Sequence, residues 1–160
     1  MTATLNIMLV ASAGGHWIEL MRLRPAWREL RATYVSTDPE LAEEVRRISL
    51  QEQQAFLGYH SLVEANRWQK FRLLRLILQL IILLVRARPD IILTTGAAPG
   101  YFALRIGRVL GARTIWVDSI ANADELSLSG QKAGKYADLW LTQWKHLAKP
   151  HGPHYLGSVL

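Results

Sequence analysis

Three short apolar runs decide what this chain can fold into: residues 5–11 (LNIMLVA), 90–94 (DIILT) and 113–118 (RTIWVD). Each is close to continuous in apolar residues rather than alternating with polar ones, the pattern of strands covered on both faces of a parallel sheet. Helical spacing separates them. Residues 17–23 (WIELMRL) put Trp17, Leu20 and Met21 on one side, and Pro25 predicts a kink or restart, because proline lacks the donor and clashes with the preceding turn. Residues 33–36 predict a second strand. Asp38-Pro39-Glu40 predicts a helix start with Pro39 at the first helical position and acids near the positive end, running to about residue 48. Residues 54–57 give a weaker strand. Beyond them, a helix is predicted over 101–110, with Gly111 as its stop, and a last strand over 139–143. The alternation predicts an α/β, Rossmann-like, mainly parallel sheet with helices on both faces. Without a linker or internal repeat, residues 1–160 read as a single domain.

Composition narrows the chemistry. Half of the residues are hydrophobic and a fifth charged, which supports a real core and excludes intrinsic disorder. With no cysteine, a disulfide scaffold, a thiolate zinc site and a cysteine nucleophile are all excluded. His151 and His154 flank Gly152-Pro153 with no carboxylate nearby in sequence, so no metal site is expected, nor any cofactor. Lys and Arg outnumber Asp and Glu by 19 to 13, for a net +6. That charge suits an anionic partner. Because the arginines are interleaved with Leu and Ile rather than gathered in a free tail, a membrane surface is expected and nucleic acid is not. Residues 1–4 carry no basic stretch and precede only a short apolar run, so no signal peptide is expected.

Residues 71–85 (FRLLRLILQLIILLV) form the most apolar segment. A span needs about 20 apolar residues, so this segment is too short to cross a bilayer comfortably. Arg72, Arg75, Gln79 and Arg86 fall on one narrow stripe, and every other face is Leu, Ile, Val or Phe. One apolar face is enough for a helix on a sheet; this one has more. A helix over 67–88 is therefore expected either to lie in a headgroup layer, with Arg72, Leu74, Arg75, Ile77 and Ile81 at the membrane, or to be buried in the core, or to do both with different faces.

Two glycine-bearing loops follow apolar strands, where ligands bind in open α/β sheets. The first is Ser12-Ala13-Gly14-Gly15-His16. Glycines let backbone N–H groups approach an anion, and the helix start adds partial positive charge. It is neither a dinucleotide fingerprint nor a P-loop, since G-x-G-x-x-G and Gly-Lys-Ser/Thr are absent, and taken alone it reads as a tight strand-to-helix turn with His16 as a helix-start residue. The second runs Thr94-Thr95-Gly96-Ala97-Ala98-Pro99-Gly100. Adjacent in space, the two would cradle a diphosphate from two sides, with Gly14, Gly15, Thr95, Gly96 and Gly100 as its amides and hydroxyl. Ser127, Ser129 and Gly130 form a third polar stretch, a further wall or a surface turn. Asp118 ends a buried strand, as a general base or as a cap. No G-x-S-x-G elbow is present.

The order of these blocks resembles a known family. Ser12 to His16 with Glu19 and Leu20, Thr95-Gly96 with Pro99-Gly100, Asp118-Ser119, Leu126-Ser-Leu-Ser-Gly130, Ala137-Asp138 leading to Gln143-Trp144, and Tyr155-Leu156-Gly157 are similar to the membrane-anchor subunit of the two-part N-acetylglucosaminyltransferase of N-glycan assembly and its PssD-type relatives in exopolysaccharide and capsule synthesis. The resemblance implies the N-terminal half of a GT-B glycosyltransferase. It implies a PssE-like catalytic partner carrying the UDP-sugar half, so that the chain alone is inactive. It implies a polyprenyl-diphosphate-linked saccharide as acceptor and a peripheral place on the cytoplasmic face of the plasma membrane. On the same ground Gly14, Gly15 and His16 lie at the acceptor, with His16 and Asp118 as catalytic candidates. The family usually has Glu-Ser and a nearby Arg where this chain has Asp118-Ser119 and Asn122. The segment 143–160 is expected at the partner, through Gln143, Trp144, Leu156, Gly157, Val159 and Leu160. Two other readings remain: a membrane scaffold with no site, and a Rossmann-type nucleotide-binding enzyme, the latter disfavoured by the missing fingerprint.

Overall fold

The computed structural model describes residues 4–65 and 68–159. Along the chain run β1 (Asn6–Val10), α1 (Gly15–Arg22), β2 (Arg31–Ser36), α2 (Leu41–Gln51), β3 (Phe56–Ser61), α3 (Lys70–Ala87), β4 (Ile91–Thr94), α4 (Ala97–Val109), β5 (Arg113–Val117), α5 (Leu128–Ala133), β6 (Leu139–Thr142) and β7 (His154–Tyr155). The seven strands pair in parallel in one sheet, in the order β3-β2-β1-β4-β5-β6-β7.

Successive side chains of a strand point to opposite faces, and β1 uses both. Ile7 and Leu9 pack with Trp17 and Leu20 of α1, with Trp27 and with Tyr34. Met8 and Val10 pack on the other face with Leu76, Leu80 and Leu84 of α3 and Leu104 of α4. Helices therefore cover both faces, and the near-continuous apolar runs are explained. Pro25 sits at the start of a 3-10 turn, Arg24–Trp27, where the chain restarts after α1.

Several elements differ from the sequence reading. Helix α2 begins at Leu41, because the Glu40 N–H is taken by the Asp38 carboxylate at 2.9 Å in a turn. Strand β3 lies over Phe56–Ser61. Gln54, read as strand, instead turns its side chain inward to accept from the Tyr34 hydroxyl at 2.6 Å and donate to the Trp27 carbonyl at 3.1 Å. Helix α4 starts at Ala97, four residues earlier than expected, straight after Gly96 at φ 136°. Pro99 is tolerated there because N–H groups of a first turn have no intrahelical partner. The two-residue β7 was not expected at all.

The chain runs outward from β1 through β2 to β3, then returns to the other side of β1 with β4. This reversal opens a crevice between the carboxyl ends of β1 and β4, the position at which such sheets take ligands.

Candidate functional site

Both glycine loops meet at this crevice. Gly14 takes φ 80°, a left-handed conformation that favours glycine, and turns the chain into α1. The first bond of that helix is Ile18 N–H to the Gly14 carbonyl, at 3.1 Å. The earlier N–H groups of the turn have no acceptor within the helix and point out of its end. A Cβ on Gly14 or Gly15 would meet nothing within 4 Å, so the loop is open above both.

His16 spans the crevice. Its Nδ1 lies 2.9 Å from the Thr95 carbonyl, and Thr95 Oγ1 donates to the His16 carbonyl at 2.6 Å. A carbonyl only accepts, so Nδ1 carries the hydrogen, and in the neutral ring Nε2 is then the acceptor nitrogen. The ring lies flush on Gly96, where a Cβ would stand 2.7 Å from His16 Cε1. Thr95 and Gly96 thus position the imidazole. The Thr95 hydroxyl is spent on this contact, and the Gly96 N–H donates to Thr94 Oγ1 at 3.1 Å. Gly100 lies inside α4 rather than in a loop. Its hydrogen stands where a Cβ would be 1.9 Å from Thr94 Oγ1, so the residue serves close helix–strand packing.

Asp118 is 1% exposed. Its Oδ1 accepts from Trp116 Nε1 at 3.1 Å and Ser127 Oγ at 2.6 Å, and its Oδ2 from Ser127 N at 3.0 Å and Asn122 Nδ2 at 3.2 Å. Four donors on a buried carboxylate hold it as an anchor for residues 119–127, not as a base open to substrate. Of the two alternatives, the cap fits the geometry. Ser127 relays the anchor by accepting from Gly130 N at 2.8 Å at the start of α5. Gly130 packs on Asp118, since a Cβ there would come within 2.2 Å of Oδ1.

A second buried carboxylate, Glu19, lies within the Ser12-to-Leu20 motif. It is 6% exposed. Oε1 accepts from Ser119 Oγ at 2.7 Å; Oε2 accepts from Gln143 Nε2 at 2.8 Å and Ile120 N at 3.3 Å. Gln143 also donates to the Asp118 carbonyl at 3.0 Å and accepts from Val159 N at 2.9 Å. The network ties α1 to the ends of β5 and β6 and to the C-terminal segment. The sequence signal was a lone acid within the apolar WIELM run of α1.

These contacts revise the expected partner surface. Gln143 is 3% exposed and faces inward. Trp144 donates Nε1 to the Ile120 carbonyl at 2.7 Å. Val159 is held from both sides, since Arg22 donates to its carbonyl at 2.8 Å. Leu156, by contrast, is 75% exposed, and Gly157 is exposed beside it. Leu160 lies outside the described residues.

Helix α3 has two apolar faces. Leu76, Leu80 and Leu84 are fully buried, while Phe71, Leu74, Leu78, Ile81, Ile82 and Val85 are exposed, Phe71 at 91%. Arg72, Arg75 and Arg86 lie exposed beside that outer face. Gln79, on the same stripe, accepts from Val63 N at 3.0 Å. Ile77 is half-buried, between the faces. The helix therefore packs in the core and presents apolar surface at once. Its described bounds are Lys70–Ala87; Arg67, the expected start, lies outside the described residues. Among the described residues, no helix is long and apolar enough to cross a membrane.

A cavity of about 420 Å³ lies between β3 and α3, and another of about 330 Å³ between the starts of α3, α4 and α5. In the second, Tyr101 stacks edge-on to Phe102 with ring centroids 5.2 Å apart. Burial pushes its hydroxyl up, with Tyr136 adding and the Arg105 cation opposing, so it stays a neutral phenol. Among the described residues, no cluster of His, Asp or Glu could hold a metal ion.

Residues 7–159 match the family described as oligosaccharide biosynthesis protein Alg14 like. The chain belongs to the Alg14-like family. No curated protein matches the sequence. Among solved structures, MurG of Acinetobacter baumannii superposes with a TM-score of 0.70 at 10% identity, over 96% of this chain and 45% of that one. UDP-N-acetylglucosamine 2-epimerase of Rickettsia bellii gives 0.64 at 12% identity, over 89% and 40%. At such identity the likeness is one of fold, and it agrees with the expected Rossmann-like half of a GT-B protein. The Alg14-like chain spans less than half the length of either protein.

Proposed function

We propose that this chain is the acceptor-binding, membrane-docking subunit of a two-part sugar transferase of oligosaccharide or polysaccharide synthesis. The acceptor is a polyprenyl-diphosphate-linked saccharide at the cytoplasmic face of the membrane. A PssE-like partner brings the UDP-sugar half. The observation that carries this reading is His16, its ring held by Nδ1–H on the Thr95 carbonyl at the β1/β4 crevice beside open glycine amides. The exposed face of α3 and the net charge of +6 support docking on an anionic bilayer. Family membership supports the oligosaccharide pathway.

In this reading the diphosphate meets the outward N–H groups of the α1 turn. Nε2 takes the proton of the acceptor hydroxyl as its oxygen bonds to the anomeric carbon of the donor. The bond from that carbon to UDP breaks, and UDP leaves with the electron pair. Glu19 and Asp118 act by holding the loops that frame the crevice.

Co-expression with a PssE-like small subunit, followed by assay with a panel of UDP-sugars and a short prenyl-diphosphate saccharide, tests this. Transfer is expected only with both chains present. Turnover by this chain alone would contradict the two-part reading. Activity of the pair that survives His16→Ala would favour a scaffold that only recruits its partner.

A further inference from the structure

The 330 Å³ cavity between the starts of α3, α4 and α5 is lined by Leu73, Ala98, Tyr101, Phe102 and Leu128, together with Ser129 and Lys132. Five of these seven are apolar or aromatic, Ser129 brings a hydroxyl, and Lys132 brings a cation. Ala98 is the second residue of α4, two positions beyond Gly96, on which the His16 ring rests. The groove therefore begins beside the crevice. Its α3 wall is Leu73, in the first turn of the helix whose outer face carries the exposed Phe71 and Leu74, and Leu128, 63% exposed, forms its rim.

We infer that this groove takes the first isoprene units of the acceptor's own lipid chain as it leaves the diphosphate. This rests on the acceptor reading above and adds where the chain runs. The charge order fits one occupant: anion-seeking amides at the crevice, Lys132 at the groove, an apolar wall beyond, then the apolar face of α3. The volume equals that of about eleven water molecules, enough for the start of a chain and not for a whole polyprenol. The remainder leaves past the first turn of α3 toward the bilayer. A phospholipid holds its phosphate on a glycerol linker away from the acyl chains, whereas in a prenyl diphosphate the anion is bonded directly to the first isoprene unit, so the linked chain is preferred.

The test is binding of inorganic pyrophosphate, geranyl diphosphate and farnesyl diphosphate to the full chain by calorimetry, with Leu128→Arg and Leu128→Ser compared. Both variants change an exposed position, and thermal melts check that they fold. Affinity should rise from pyrophosphate to the prenyl diphosphates by at least roughly tenfold, the equivalent of burying about two methylene groups. Leu128→Arg should lose most of that gain and keep pyrophosphate binding and vesicle sedimentation. Equal affinity for all three ligands would overturn the groove while leaving the diphosphate site standing. Absence of binding by any of them would overturn both. Loss of vesicle binding in Leu128→Arg with farnesyl diphosphate affinity unchanged would make the groove a bilayer contact instead.

Discussion

Gln143 donates its side-chain amide to Glu19 at 2.8 Å across 124 positions of sequence. The same residue accepts from the Val159 backbone, so one buried amide fixes α1, the end of β6 and the C-terminal segment together. A buried carboxylate with three donors is stable only while all are present.

Replacing Glu19 by Leu removes the acceptor for Ser119, Ile120 and Gln143 at once. The expected loss is about 3 kcal/mol, read from urea unfolding. Glu19→Gln should lose less, because one oxygen remains. A loss below about 1 kcal/mol for Glu19→Leu, the worth of a single ordinary hydrogen bond, would mean the network is not a structural tie.

The glycines separate into two kinds. Gly100→Ala places a methyl 1.9 Å from Thr94 Oγ1 and should cost about 2 kcal/mol by overpacking. Gly15→Ala meets nothing within 4 Å and should leave the thermal midpoint nearly unchanged while weakening pyrophosphate binding. Equal melting shifts for the two would show that the start of α1 is as constrained as the α4 contact.

The two faces of α3 should separate in the same way. Leu74→Ser, Leu78→Ser and Val85→Ser together should preserve the fold and weaken sedimentation with anionic vesicles, because all three side chains are exposed. Leu80→Ala, fully buried, should cost about 3 kcal/mol. Unfolding of the triple variant would show that the outer face is covered within the molecule.

Much of the fold was legible because strands buried on both faces leave an unmistakable run of Leu, Ile and Val, as at residues 5–11 and 90–94. Strand β3, at the sheet edge, buries little of its length, so its pattern is faint and its position slipped. The start of α4 was hidden by Pro99-Gly100, which usually signals a turn. At the site, the pairing of the two glycine loops could be read from strand ends. The inward turn of Gln143 and the acceptor role of Glu19 could not. They depend on long-range contacts that no local periodicity encodes.

The central claim is that His16 works on the acceptor at the crevice. The measurement that tests it most directly is steady-state transfer by the reconstituted two-chain complex, wild type against His16→Ala, with acceptor varied at saturating UDP-sugar. The account predicts a fall in kcat of about 10²–10⁴-fold, as for loss of a general base, with complex formation and melting temperature unchanged. A kcat within about twofold of wild type, too small for loss of a base, would contradict it and leave Gly14-Gly15-His16 as a structural turn.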